Sequence, residues 1–267
     1  LPRPLFDTQI GAALAGIGAG MGYQKLVQEI TGVTLAKGET RSDWMRRPLS
    51  ESQLQYAADD VEHLFALHDA IDARLQAMGR QQWLHDDAER LLASVANDED
   101  RWPHLSMRSA QFLDAEAQRR LLRLLRWRDV QARQSDRPRS WILDNELAAL
   151  LARSPPADVD ALAKLFEQFP KAPRKLTAAV WQALDTPLAD EQDAPLATQP
   201  TDSSKKTLKK MQDAVAECSR ELGLADGVLA SRKHLESYLE HRQWPSALAG
   251  WRQQALESRL QPLLPVR

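Results

Sequence analysis

The chain has 267 residues, 43% hydrophobic and 27% charged, and its 35 Lys+Arg against 37 Asp+Glu leave a formal charge of −2 at pH 7. At ~100–200 residues per domain this is about two domains' worth, which excludes a peptide-sized module. The near-neutral balance excludes a globally basic nucleic-acid binder but leaves room for a local basic face.

In chain order, nothing resembling a signal peptide opens the sequence, and no apolar run approaches the ~20 residues of a membrane span, so the expected address is cytoplasmic. Glycine is scarce at 11, tryptophan is plentiful at 8 and period-two alternation is nearly absent, which predicts a mainly α class. Two stretches interrupt the helical patterns. The segment between Asp185 and Lys205 is rich in Pro, Asp, Ser and Thr and reads as a linker, and a softer break lies between Ser94 and Arg108. The expected units are residues 1–97, 102–185 and 205–267, with 186–204 connecting the last two.

In the first unit, Ser50 and Gln53 form the two halves of a capping box, predicting a helix from about Glu51 to Met78. At ~100° per residue, Leu54, Ala57, Val61, Leu64, Phe65, Ile71 and Leu75 fall in one core-facing stripe. Asp59 then lies almost opposite, expected in solvent. Tyr56 and Asp60 are neighbours at i, i+4 on the shoulder, a place that can be half-buried and open to a cleft. There a carboxylate can hold a hard cation and a phenol can orient a water. Tyr and Asp at this spacing equally suit a tyrosine packed near a surface aspartate, and the pair alone does not separate the two.

The surrounding string does. From Gly32 the chain reads G-V-T-L-A-K-G-E-T-R-S-D-W-M-R-R-P-L-S-E-S-Q-L-Q-Y-A-A-D-D-V, after F-D-T-Q at Phe6 to Gln9. This resembles the closing half of the exonuclease domain of the ribonuclease D family, DEDDy exonucleases of the RNase H-like, DnaQ-like α/β type. The resemblance rests on Leu35, Lys37, Trp44, Arg47-Pro48-Leu49, Gln53, Tyr56-Ala57-Ala58 and Asp60. It implies that Asp60 is the last metal-binding aspartate, for Mg²⁺ or Mn²⁺, and that Tyr56 positions the attacking water. The family's other carboxylates come from an Asp-x-Glu and a second motif, both upstream of F-D-T-Q, and neither is present there. Asp7 matches none of them and is expected to be structural. One aspartate cannot hold two ions, so the expectation is a chain that starts inside the catalytic domain and is inactive alone.

The second unit carries a basic seam. Between Arg119 and Arg139 stand eight arginines and two aspartates, a local charge of +6. Such a face can neutralise phosphates, and it is equally often only solvated. The string L-R-W-R-D-V-Q-A-R, continued by R-P-R-S-W-I-L-D, resembles the HRDC domain shared by RecQ-type helicases and the ribonuclease D family. That implies an auxiliary nucleic-acid-binding bundle, with Arg128, Arg133, Arg137 and Arg139 as candidate contacts. Trp127 and Trp141 could stack on bases, but a place in the bundle core is expected. The third unit opens with Lys205, Lys206, Lys209 and Lys210, expected as a solvated face. Its L-A-S-R-K-H-L and G-W-R stretches resemble a second, divergent HRDC repeat. Cys218, the single cysteine, is expected in the core.

Other chemistries lack their residues. His63 and His68 are spaced i, i+5, wrong for two ligands on one helix face, and there is no Gly-rich phosphate loop before a Lys-Ser/Thr, no G-x-G-x-x-G and no G-x-S-x-G. Two expectations remain. One is a ribonuclease acting on the 3′ ends of tRNA precursors with divalent metal. The other is a non-catalytic helical nucleic-acid-binding module such as a helicase tail or scaffold.

Overall fold

A computed structural model describes residues 4–36, 38–40, 42–96 and 100–265; Lys37, one of the residues carrying the resemblance, lies outside them, as does Arg41. Every regular element among the described residues is helical. The first stretch holds α1 (Thr8–Leu14), α2 (Tyr23–Thr31), α3 (Glu51–Glu62), α4 (Leu64–Ala77) and α5 (Gln81–Ala96). The middle holds α6 (Ala115–Ser135), α7 (Arg139–Ile142), α8 (Asn145–Arg153), α9 (Val159–Glu167) and α10 (Thr177–Asp185). The last holds α11 (Asp202–Leu222), α12 (Asp226–Leu229), α13 (Arg232–His241) and α14 (Trp251–Leu260). None of the described helices is long and apolar enough to cross a membrane.

Helix starts follow local chemistry. The side chains of Asp7, Ser50, Asp114, Asp144, Asp158, Thr201 and Ser231 each accept a hydrogen bond from a backbone N–H of the turn they cap, satisfying a donor the helix leaves orphaned. Asp7 is thus structural, as expected, but caps a helix. At Ser50 the box is complete: Gln53 N donates to the Ser50 hydroxyl, and Ser50 N to the Gln53 carboxamide oxygen.

The chain forms two compact units, residues 1–98 with 201–267, and residues 99–200. The stretches read separately as 1–97 and 205–267 share one core. Leu14, Leu26, Val27, Ile71 and Leu75 of the first pack in the same buried cluster as Met211, Leu235, Leu256 and Leu260 of the last. Polar contacts lock the two stretches together. Asp87, 7% exposed, accepts from the Trp251 indole N–H, both Arg252 Nη atoms and Arg90. Burial lowers the Arg252 pKa to about 10. Trp83 stacks on Trp251 with centroids 4.2 Å apart. Cys218 is buried in this core, where desolvation pushes its thiol pKa up.

The helix expected over Glu51–Met78 breaks at His63. The Tyr23 phenol donates to Asp59 O (2.7 Å) and accepts from His63 N (3.2 Å), inserting itself into the i→i−4 step that a continuous helix would close there. The apolar stripe divides accordingly. Ile71 and Leu75 are buried where α4 lies against α1, α2 and α5, whereas Leu54, Val61 and Phe65 are exposed.

The middle unit is organised around α6, with Leu121, Leu124 and Leu125 packed against Leu147 and Leu151 of α8, Leu162 and Phe166 of α9, and Val180 and Leu184 of α10. The segment expected as a linker is laid down on this bundle as far as Ala197. The carboxylate of Glu191, 2% exposed, takes two 2.6 Å bonds from Arg123. Further along, Pro195 O bonds His104 Nε2, and Ala197 exchanges two hydrogen bonds with Gln118. Composition suggested flexibility because the segment has few apolar residues; its acidic residues meet arginines instead.

Candidate functional site

On α3, the Tyr56 side chain is half-buried and Asp60 stands one turn further on, exposed. The Tyr56 hydroxyl lies 3.3 Å from Thr40 Oγ1, and the Tyr56 ring is tilted against Trp44 at 5.9 Å. Trp44 is in turn fixed by its indole N–H on Glu39 O, and Gln53, whose amide donates to Asp43 O, ties the chain at Asp43–Trp44 to the start of α3. The fold therefore holds the phenol from outside its own helix. The expected burial of the two aspartates is reversed. Asp59 is half-buried, with Gln55 Nε2 on its carboxylate at 2.7 Å, while Asp60 faces solvent with its carboxylate open. The break at His63 accounts for this, since α3 no longer continues the core-facing stripe of α4.

Such a pair can contribute an open carboxylate and an oriented phenol. Among the described residues no group of three or more His, Cys, Asp or Glu side chains gathers into a metal-holding cluster. Taken by themselves they do not fit a two-ion centre, which needs several convergent carboxylates.

The basic seam is largely consumed inside its own unit. Arg119 pairs with Glu116 (3.3 Å), and Arg120 donates to Ala152 O (2.9 Å). Arg123 grips Glu191 and Leu184 O, and Arg126 grips Asp190 (2.7 Å) and Arg101 O. Arg126 and Arg101 hold the Asp190 carboxyl down at about 2. Arg123 likewise lowers the Glu191 pKa through its hydrogen bonds, and its own pKa is raised by the same partner. Arg128, expected on a nucleic-acid face, is 8% exposed and donates to Leu143 O (3.2 Å) and Asn145 Oδ1 (2.7 Å). It stands one turn beyond the buried Leu124, on the core side of α6, so it is a packing cation.

What reaches solvent is the end of α6 and the turn after it. Arg133, Arg137 and Arg139 are all exposed. Asp136 adopts a left-handed conformation, φ 49°, that reverses the chain after α6. Arg139 on α7 then returns to Asp129 of α6 at 2.9 Å while staying half-exposed. Trp127 packs against the core, but Trp141 is 73% exposed, against expectation. In the four-residue α7, Ile142 and the following Leu143 fill the inward positions and leave Trp141 outside. The α11 lysines are also at the surface, Lys205 and Lys209 paired with Asp202 and Asp213 at 2.9 Å.

Sequence reasoning missed Tyr23, Asp87 and Glu191. Only Glu191 carried a local signal, an acidic cluster in a chain whose arginines are bunched elsewhere.

Comparisons with known proteins align with this layout. A 3′-5′ exonuclease family model matches residues 1–76, an HRDC domain model residues 117–184, and a ribonuclease D C-terminal HRDC domain model residues 203–260. Ribonuclease D of Xanthomonas oryzae is 68% identical over 265 residues, covering 99% of this chain and 73% of that protein. Ribonuclease D of Pseudomonas paraeruginosa is 35% identical over 96% of this chain and 70% of its own length. The crystal structure of Escherichia coli RNase D, described as an exoribonuclease involved in structured RNA processing, superposes with a TM-score of 0.77 at 28% identity, covering 99% of this chain and 73% of that one.

Proposed function

The chain belongs to the ribonuclease D family, and on that premise we propose that it serves metal-dependent 3′-5′ hydrolysis of phosphodiester bonds at the 3′ ends of tRNA precursors in the cytoplasm. Asp60 is one ligand for Mg²⁺ or Mn²⁺, and Tyr56, held by Thr40 and Trp44, orients the attacking water. The observation that carries this reading is the coincidence of the exonuclease match with an open carboxylate one turn from a phenol braced by a separate loop. When bound, the metal supplies an activated water and stabilises the leaving oxygen. RNA is gripped by the exposed end of the basic seam, Arg133, Arg137 and Arg139, with Arg128 acting in packing. Residues 1–97, 102–185 and 205–267 are read as exonuclease, HRDC and second HRDC-like portions joined through 186–204.

Because Asp60 stands without a carboxylate cluster among the described residues, the 267 residues by themselves are expected to bind RNA without shortening it. A 3′-labelled, 3′-tailed RNA incubated with the purified chain and Mg²⁺ or Mn²⁺ checks this. Retained full-length RNA is the expected result. Trimming that disappears in Asp60→Ala would refute the inactivity and leave the assignment of Asp60 standing; trimming untouched by Asp60→Ala would refute both.

A further inference from the structure

We infer that the Trp141 indole is a stacking platform for an unpaired base of single-stranded RNA, with Arg137 and Arg139 neutralising the phosphates beside that base. This rests on the RNA-binding reading above and assigns it a specific contact. An indole left 73% in water while the next two residues, Ile142 and Leu143, are buried in the bundle is an apolar surface without a packing role. Its backbone is fixed: Trp141 N donates to Pro138 O (2.9 Å), Leu143 O accepts from the buried Arg128, and Arg139 is tied to Asp129. A ring presented from a rigid turn loses little conformational freedom when a base lies on it. The charge around it suits a polyanion. The exposed run from Arg133 to Trp141 holds three arginines; against them stand two aspartates, the turn residue Asp136 and, on α6, Asp129, which pairs with the still half-exposed Arg139, so the local balance stays positive.

Exposed aromatic faces flanked by guanidinium groups bind single strands with little sequence preference, since every base offers a π-face. A base inside a duplex has both faces occupied by its neighbours and cannot use the platform. The contact therefore selects unpaired RNA over paired RNA, as suits a protein that meets a 3′ end.

The test uses the full chain with a 12-nucleotide single-stranded RNA, a duplex of the same length, and the single strand with abasic positions. Trp141→Ala is expected to weaken single-strand binding by about tenfold or more, with Trp141→Phe retaining most of it. Duplex binding and the salt dependence of single-strand binding should be unchanged in both variants, because no phosphate contact is removed. The loss should vanish with the abasic strand. The side chain is exposed, so both variants should melt as the parent does. If the parent binds RNA and Trp141→Ala binds it equally well, the stacking inference is wrong and the RNA-binding reading stands. If the parent binds no RNA, the reading beneath it fails. If Trp141→Ala leaves RNA affinity intact but abolishes self-association in sedimentation, the indole belongs to a protein contact and the inference is overturned.

Discussion

Replacing Glu191 by Ala removes the partner of a buried guanidinium. Glu191 is 2% exposed and Arg123 8%, and two 2.6 Å bonds join them. Arg123 would keep Leu184 O at 2.8 Å and, from Nη2, the half-exposed Glu116 carboxylate at 3.6 Å, but Nε would face a cavity where the Glu191 carboxylate stood, and Leu188 N would lose its 2.9 Å acceptor. Breaking a buried pair by removing one partner costs about 3–5 kcal/mol, and with the distant, half-exposed Glu116 still in reach the lower end applies, far above the ~0–1 kcal/mol of an exposed pair. For a unit of about 100 residues, ~4 °C per kcal/mol is a conservative conversion, so the melting temperature of the 99–200 unit should fall by about 12 °C or more. Calorimetry of the full chain should show this in one of two transitions, leaving that of the other unit in place. Glu191→Gln should fall between, and Arg123→Leu combined with Glu191→Leu should recover much of the loss, since no lone charge remains. The pH dependence has a definite sign. Arg123 lowers the folded Glu191 pKa, so the pair's stabilisation is complete above the ordinary carboxylate value of ~4.3 and is lost as pH falls through the folded value. A Glu191→Ala melt within about 2 °C of the parent, or a double variant no better than the single, would refute the claim that this arginine is a structural one.

Three other consequences follow from the packing. His104 is 1% exposed and its pKa is lowered by burial, so below the ordinary histidine value of ~6.5 the unfolded chain takes up a proton that the folded one refuses. It is the only histidine in the 99–200 stretch, so that unit's transition should drop between pH 7.5 and 5.5 in the parent but not in His104→Leu. Asp87→Ala should lower the stability of the other unit by about 3–5 kcal/mol, with Asp87→Asn less severe, because Arg90, Arg252 and Trp251 all converge on that carboxylate; equal transitions in denaturant would count against the network. Tyr23→Phe should let His63 N close its own bond to Asp59 O, moving the His63 Cα chemical shift toward the helical value, and an unmoved shift would remove Tyr23 as the cause of the break.

What could be read from the residues was what the chain decides locally. The Ser50 and Gln53 box acts within a few residues, and it formed as its spacing requires, whereas the Thr201 cap sits inside the stretch read as a linker. The break at His63 was not legible, because its cause is a phenol 40 residues upstream. The reach of the basic seam was not legible either. Counting arginines gave +6, but which of them meet phosphate depends on where residues 185–197 lie, and Asp190 and Glu191 from that segment occupy Arg126 and Arg123. Trp141 went the other way. Expected in the core, it is outside because α7 has only four residues, Ile142 takes its inward position, and Leu143 directly after the helix is buried as well.

The salt dependence of RNA affinity tests the account most directly, since it counts phosphates neutralised. For a single strand each phosphate contact contributes about 0.7 to the slope of log K against log salt. Arg137→Gln with Arg139→Gln should flatten that slope by about 1.4 relative to the parent. A slope unchanged in this double variant would place the RNA contact elsewhere and return the end of α6 to an ordinary solvated surface.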